Sequence, residues 1–401
     1  MKITLITLIA CLVSVFVPHG ANDLYSVSNP EFVLYDEADS DGIGGSIDDV
    51  IDELDLSELE AYLAGLTAEQ KELLGGGDLK AFLKTIIDGD AIDFGTIVSY
   101  LLSCLGANAA MYIPLMMSLI AVAVAFNVIN SVKGKFASES VESIIRFACI
   151  GIILLLLTTQ VFFTVNSVVE MLGTLKKQTD IFFPIILTLM TAIGASSSVN
   201  VYRPAVIMFA SGIINLITVI AVPLFIISLV FTAVGSLSSG IKLKEMSSFF
   251  STVSKWVMST AFFVFMAFLS VQGITASVYD GISIRTTKFA LSKYVPVIGG
   301  YLSEGFNLIM AGSVLIKNSL GLTALILLLL TVVPYIIRIT LLSLTLRLTA
   351  AISEPLGSSE ITGVIGSFGK NLTVLIAIIL GVTFMYFVFI MLIIATGNLS
   401  L

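Results

Sequence analysis

An otherwise apolar stretch, residues 278–318, carries six ionisable side chains. Ionisable groups are costly near a bilayer, and they usually face a cavity or a partner. The neighbouring glycines permit a tight turn or a close backbone approach. The candidate pathway or interaction residues are Arg285, Lys288, Lys293, Pro296, Gly299, Gly300 and Glu304, and Asp280 and Lys317 share the stretch. The alternative interpretation is an interfacial amphipathic helix whose lysines reach towards the headgroups.

The rest of the sequence offers little catalytic chemistry. A protease of the Ser–His kind needs a histidine base, and the one histidine is His19, close to the N-terminus. An aspartyl protease needs two carboxylates that share a proton, whereas Asp180 and Asp280 lie at the edges of apolar runs. The sequence has no Walker A loop, no HExxH and no paired cysteine motif. We therefore predict a protein that is not an enzyme and that binds no cofactor or metal.

The composition indicates what kind of scaffold carries these side chains. Hydrophobic residues make up 57% of the 401 residues and charged residues only 12%, against about 25% charged in a soluble domain. Several apolar runs reach the roughly 20 residues that cross a bilayer core. These runs are about 95–132, 148–168, 181–195, 205–237, 257–277, 308–348 and 372–395. We predict an all-α polytopic membrane protein whose membrane domain occupies residues 95–401.

The N-terminal part of the chain differs from this membrane domain. Residues 1–21 have the charged start and apolar core of a signal peptide; a lipoprotein signal ending at Cys11 and an uncleaved first membrane helix are the alternatives. Residues 22–94 form an acidic region that we predict to be small, helical and extracytoplasmic. Residues 22–93 hold 19 of the 28 acidic residues and three lysines. Such a region is either a solvated surface or a segment that docks a partner.

Short helices are predicted within the acidic region. Ser57–Glu60 and Thr67–Gln70 both have the pattern of a capping box at a helix N-terminus. A third helix is predicted from apolar residues at helical spacing. These residues are Leu79, Phe82, Leu83, Ile86 and Ile87.

Three prolines, Pro114, Pro223 and Pro334, lie inside apolar runs at intervals of about 110 residues. After each proline the order is an apolar helix, basic residues and a full span, which indicates an internal repeat. We predict two full repeats and one truncated repeat, with helices broken at the prolines. The repeat-like units are about 110–220, 221–331 and 332–401.

Two further prolines, Pro184 and Pro296, decide the predicted number of crossings. The short apolar segments around them are either re-entrant or spanning. Re-entrant segments give six crossings, and spanning segments give seven or eight.

The segment SIRTTKFALSKYVPVIGGYLSEGFNLIMAGSVLIKNSLG at 283–321 resembles the stage III sporulation protein AE family of endospore-forming bacteria. KLKEMSSFFSTVSKW at 242–256 and ISEPLG at 352–357 add to this resemblance. The resemblance implies a multi-pass protein of the mother-cell membrane around the forespore. Its implied partners are other membrane and ring-forming stage III proteins and their associated ATPase, and it implies no nucleic acid and no catalytic residue.

Three functional hypotheses follow. The resemblance implies a non-enzymatic subunit of a transenvelope channel, similar to a secretion apparatus, that supports late forespore gene expression. The repeats and the charged stretch 278–318 instead favour a stand-alone secondary transporter for a small solute. A pure assembly scaffold is the third hypothesis.

Overall fold

The structure is a computed structural model that describes residues 51, 54–74, 79–87, 94–132, 139–237, 243–294, 299–356 and 359–396. Between residues 272 and 306, the structure describes the helical backbone only and not the side chains. All of these residues belong to one compact unit, Gly42–Leu401. Every regular element in the described ranges is a helix. The predicted signal peptide lies outside the described residues and remains a prediction.

Short helices in the acidic region are confirmed. They are α1 (Ser57–Ala64), α2 (Ala68–Leu73) and α3 (Leu79–Ile87). The capping box at the start of α2 is confirmed, because Thr67 and Gln70 each accept a hydrogen bond from the other's backbone N–H. The capping box predicted for α1 is wrong. Leu56 is the N-cap there, and the Ser57 N–H donates to the Asp55 carboxylate at 3.1 Å instead.

The predicted apolar face of α3 is confirmed. Leu79, Phe82 and Leu83 are buried, and Ile86 and Ile87 are partly buried against the same core. This spacing places one side of α3 on the long helices that follow it in the chain. The acidic region is therefore packed onto the rest of the molecule along the part that the structure describes.

Six long helices make up the rest of the described chain. They are α4 (Phe94–Val132), α5 (Glu139–Ala192), α6 (Ser196–Leu237), α7 (Lys244–Tyr294), α8 (Gly299–Ser353) and α9 (Ser359–Ala395). Each contains a segment long and apolar enough to cross a membrane. Large apolar side chains point outwards, and Trp256 and Phe263 are each 73% exposed. The all-α fold is confirmed for the described residues, and the six apolar helices are compatible with the predicted polytopic membrane protein.

Helix α5 corrects the prediction for Pro184. The runs 148–168 and 181–195 were predicted as separate segments, but α5 continues from Glu139 to Ala192 with Pro184 inside it. Its 54 residues extend for about 80 Å, more than twice the roughly 30 Å of a bilayer core. The chain turns only after α5, at Gly194, whose φ of 81° suits a residue without a Cβ. The Pro184 segment is thus neither re-entrant nor a separate span.

The prolines at the 110-residue interval do not break their helices. α4 passes through Pro114, and α8 passes through Pro334. In α6, the π-helical segments Met208–Ile213 and Ile217–Ala221 precede Pro223, and the α-helix resumes at Val222. The three prolines fall in the first helix of the successive pairs α4–α5, α6–α7 and α8–α9, and the repeat itself stays a prediction.

Helices α8 and α9 pack antiparallel to each other, beside an aromatic core that joins four of the long helices. Ser343 of α8 donates to the Gly369 carbonyl of α9, while Lys317, nearer the start of α8, contacts the end of α9. The core joins α5, α6, α7 and α9. Its buried rings include Phe183, Phe209, Phe265 and Phe389, and the Phe183 and Phe389 centroids lie 4.5 Å apart.

Candidate functional site

The residues predicted from the charged stretch lie at the junction of α7 and α8. Arg285, Lys288 and Lys293 belong to the last turns of α7. Gly299 and Gly300 begin α8, with Glu304 in its second turn. Pro296 lies between the helices, outside the described residues, and the side chains of the others also lie outside the described part. A pathway or interaction role for these residues therefore stays a prediction.

Lys317 is the one ionisable side chain of this stretch that the structure describes. It is fully buried. Its Nζ donates to the backbone carbonyls of Ile394 at 3.0 Å and Ile393 at 3.4 Å, and also to that of Thr396. The last carbonyls of a helix lack intrahelical partners and carry partial negative charge. Lys317 of α8 therefore caps the C-terminal end of α9.

Close packing reinforces this cap, which we call the Lys317 clamp. A Cβ added at Gly321, one turn beyond Lys317, would overlap the Ile394 side chain. The Tyr202 hydroxyl lies 2.7 Å from the Thr396 hydroxyl. Three helices therefore meet at one fixed point, and the clamp leaves no space for a ligand between Gly321 and Ile394.

A second group of polar residues surrounds an open space instead. This space, which we call the polar groove, lies between α1, α2 and the long helices α4, α5 and α8, and has a volume of about 620 Å³. Its ionisable, aromatic and amide-bearing lining residues are Tyr62, Glu69, Gln70, Tyr100, Asn108, Glu170, Lys177, Tyr335 and Arg338. Concave sites of roughly 300–1,000 Å³ are typical of small-molecule binding.

A buried hydrogen-bond network fixes the wall that α1 contributes. Gln178 of α5 is fully buried, and its Nε2 donates to the Tyr62 hydroxyl and to Thr331 Oγ1, both at 2.8 Å. Burial raises the pKa of the Tyr62 phenol, although its hydrogen bonds to Gln178 and Thr331 oppose the shift. The neutral phenol thus joins α1 to α5 and α8. Lys177 Nζ lies 5.6 Å from the centroid of the Tyr62 ring, a cation–π distance.

Helix α2 forms its wall of the groove by a contact with the carbonyl that Pro334 leaves free in α8. A proline inside a helix has no N–H for the carbonyl four residues earlier, which here is that of Leu330. Gln70 of α2 donates its Nε2 to this carbonyl at 3.4 Å. The carbonyl that Pro334 leaves without a helical partner is therefore a docking point for the acidic region. This contact gives the freed carbonyl a donor while α8 continues through Pro334.

Arg338 lies one turn beyond Pro334 in the groove. Its Nη1 donates to Ser167 Oγ at 3.3 Å, but its Nε is buried and has no hydrogen-bond partner. Among the described residues, no carboxylate lies within 4.0 Å of the guanidinium. On the facing helix, Glu170 and Lys177 line the groove without an ion pair to any described residue. These charges are available to a ligand.

The sequence patterns did not predict the polar groove. Arg338 is the one charged residue between Lys317 and Arg347, and it follows an intrahelical proline by four positions. An isolated charge in an apolar run is a signal for a functional residue. The contribution of the acidic region had no local signal, because Tyr62 and Gln70 reach Gln178 and Leu330 only through the tertiary fold.

Comparison with known proteins identifies the family of this chain. A family model described as stage III sporulation protein AE matches residues 77–397, which include all six long helices. The Stage III sporulation protein AE of Bacillus subtilis (strain 168) is 24% identical over 277 residues, 69% of each chain. No solved structure matches the chain. The chain belongs to the stage III sporulation protein AE family.

Proposed function

We propose that this chain is a non-enzymatic membrane subunit of a sporulation-specific transenvelope channel, a secretion-like complex between mother cell and forespore. In this proposal the protein lies in the mother-cell membrane around the forespore, with its acidic region extracytoplasmic. It supports late forespore gene expression. Membership of the family and six apolar helices support a sporulation membrane role.

The observation that carries the proposal is the docking of the acidic helices on the long ones. The Tyr62–Gln178–Thr331 network and the Gln70–Leu330 contact hold α1 and α2 in place. The glutamates of these helices that lie outside the polar groove face outwards: Glu58, Glu60 and Glu72 are exposed. A fixed acidic surface beside membrane spans suits a docking platform for basic surfaces of partner proteins. The proposed partners are other membrane and ring-forming stage III proteins and their ATPase.

A deletion strain of a spore former tests this role. Forespore volume and late forespore gene expression are followed after engulfment. The control is the deletion strain complemented with the wild-type chain. We expect forespore collapse and loss of expression on deletion, and normal forespores would overturn the proposal.

A charge-neutralising variant tests the platform itself. Glu58→Gln, Glu60→Gln and Glu72→Gln together remove exposed charge but leave Glu69 in the groove. Glu245→Gln with Glu354→Gln is the control, because both residues are exposed outside the acidic region. We expect only the triple variant to lose copurification with partner proteins. Equal copurification of the two variants would contradict the docking role.

A secondary transporter is the second candidate function. The polar groove and the π-helical segments of α6 favour it, because π-helical turns are frequent at functional sites. The purified chain in liposomes would then move a small solute down an imposed gradient, and Arg338→Gln would stop this flux. Absence of flux under every gradient tested would exclude this candidate.

A further inference from the structure

The polar groove begins where the outward-facing apolar surface of α5 ends. Phe162 and Phe163 are 62% and 56% exposed, and beyond them no large apolar side chain of α5 is strongly exposed. Ser167 follows one turn later and starts a polar face that includes Glu170 and Lys177. Positions 167, 170, 174 and 177 have the i, i+3, i+4 spacing of one helical face. Lipid-facing surface and polar site are therefore continuous along one helix.

The charges in the groove are balanced. Two cations, Arg338 and Lys177, and two carboxylates, Glu170 and Glu69, line the same space. None of the four forms an ion pair with another described residue. Arg338 contributes the one guanidinium among the residues that line the groove, and guanidinium groups bind phosphate well. A purely anionic ligand would meet two carboxylates, whereas a ligand with both charges satisfies both pairs.

We infer that the polar groove binds a zwitterionic phospholipid headgroup, one that carries a phosphate and a primary ammonium. Arg338 and Lys177 bind the phosphate, and Glu170 and Glu69 bind the ammonium. The acyl chains lie along the exposed apolar surface that starts at Phe163. Basic pockets between membrane helices are known sites for the phosphates of lipid headgroups, and the two carboxylates of this groove add acceptors for an ammonium. The volume of about 620 Å³ accommodates such a group.

This lipid site goes beyond the channel role and does not depend on it. The groove joins the acidic helices to the long helices, so a bound headgroup would fill the space between the two parts. Lipid retention is measured on the purified full chain, whereas the channel role is measured in sporulating cells. Failure of either proposal leaves the other standing.

The test is lipid retention by the full chain purified from membranes that contain phosphatidylethanolamine and phosphatidylglycerol. Native mass spectrometry counts the lipids that remain bound. We expect phosphatidylethanolamine to be retained and Arg338→Gln to reduce it about tenfold, the effect of one charge-assisted contact. Arg347→Gln is the matched control. Arg347 lies on the same helix but contacts Thr373 of α9 at 2.9 Å, outside the groove.

A second variant separates the ammonium from the phosphate. Glu170→Gln changes an exposed side chain, so the fold is retained even if Arg338→Gln unfolds. We expect Glu170→Gln to remove the preference for phosphatidylethanolamine over phosphatidylglycerol while phosphate binding persists. Equal retention of the two lipids by the wild-type chain would overturn the proposal, as would equal losses in Arg338→Gln and Arg347→Gln.

Soluble competitors distinguish a lipid site from a site for free ligands. We expect millimolar phosphoethanolamine to displace the retained lipid and inorganic phosphate to displace little. Binding of inorganic phosphate or phosphoethanolamine with no retained lipid would overturn the lipid assignment. It would instead indicate a site for a small soluble anion or zwitterion.

Discussion

Two cations on the same helix, Lys317 and Arg338, have opposite environments. Lys317 is fully buried and donates to three carbonyls at the end of α9. Arg338 lines a groove, makes one 3.3 Å hydrogen bond and has a buried Nε without a partner. Hydrogen bonds within the fold offset the desolvation cost of a buried charge, so such a charge has a structural role. A guanidinium that lines an open space and forms no ion pair with a described residue is instead a candidate for ligand binding.

The difference assigns separate roles to the two regions. The Lys317 clamp joins α6, α8 and α9 and leaves no space for a ligand between Gly321 and Ile394. The polar groove joins α8 to the acidic helices and contains about 620 Å³ of open space. The part of α8 around Lys317 is therefore closely packed, and the candidate site lies farther along the helix, around Arg338.

The largest expected effect comes from Lys317→Met. This change keeps the apolar stem but leaves the carbonyls of Ile393, Ile394 and Thr396 without the ammonium donor. Because hydrogen bonds to charged groups are worth roughly 1.5–3 kcal/mol each, we expect a loss of about 3 kcal/mol or more. Unfolding in detergent, followed by the fluorescence of the single tryptophan, Trp256, measures the change.

Two further variants make this a test of the comparison. Arg338→Gln loses one long hydrogen bond, so we expect a change below about 1 kcal/mol. Lys370→Met removes an exposed lysine of α9 and should leave stability unchanged. If Arg338→Gln destabilises the protein as much as Lys317→Met, the two cations share a structural role and the comparison fails.

An intermediate effect is expected from Tyr62→Phe, which removes the hydroxyl that Gln178 Nε2 contacts at 2.8 Å. A buried hydrogen bond of this kind contributes about 1 kcal/mol. The loss falls on the joint between α1 and α5, so we expect local release of the acidic helices rather than global unfolding. Limited proteolysis should cut between α1 and α3 several-fold faster, while the tryptophan unfolding transition changes little.

Ser103→Ala is a suitable control for Tyr62→Phe. Its hydroxyl bonds only within its own helix, to the Tyr100 carbonyl. Unchanged proteolysis of Tyr62→Phe would show that the network does not hold the acidic helices.

The sequence predicts the features that local patterns encode. Apolar runs of sufficient length predict the long helices, and the Thr67–Gln70 spacing predicts the capping box at α2. Helical spacing also predicts which face of α3 is buried. Each signal acts within a few residues of its effect, so no knowledge of the tertiary fold is needed.

The failures concern residues whose behaviour is decided by distant neighbours. The sequence predicts a broken helix at Pro334 and a separate segment around Pro184, but α8 and α5 continue through these prolines. At Pro334 a distant residue takes part, since Gln70, 260 positions away, donates to the Leu330 carbonyl that the proline leaves free. The groove around Arg338 likewise needs α1 and α2 in place. Pairings over such separations leave no periodic trace in one sequence.

The smallest expected effect concerns this contact between Gln70 and the carbonyl freed by Pro334. Gln70→Glu keeps an oxygen that accepts from the Thr67 N–H at the start of α2, but it removes the donor to Leu330. Because the donor lies 3.4 Å away, we expect a loss of about 0.5–1 kcal/mol. Pro334→Ala restores a backbone N–H for the Leu330 carbonyl. The Gln70→Glu penalty should therefore shrink in the Pro334→Ala background.

A double-mutant cycle measured by proteolysis of the acidic region gives this coupling directly. Additive effects would show that Gln70 acts only within α2. A coupling near 0.5 kcal/mol is expected for one long hydrogen bond. It would show that the stabilising effect of Gln70 depends on the carbonyl that Pro334 leaves free. Pro334 would then leave the Leu330 carbonyl of α8 without a helical donor, and Gln70 would attach the acidic region to α8 by donating to that carbonyl.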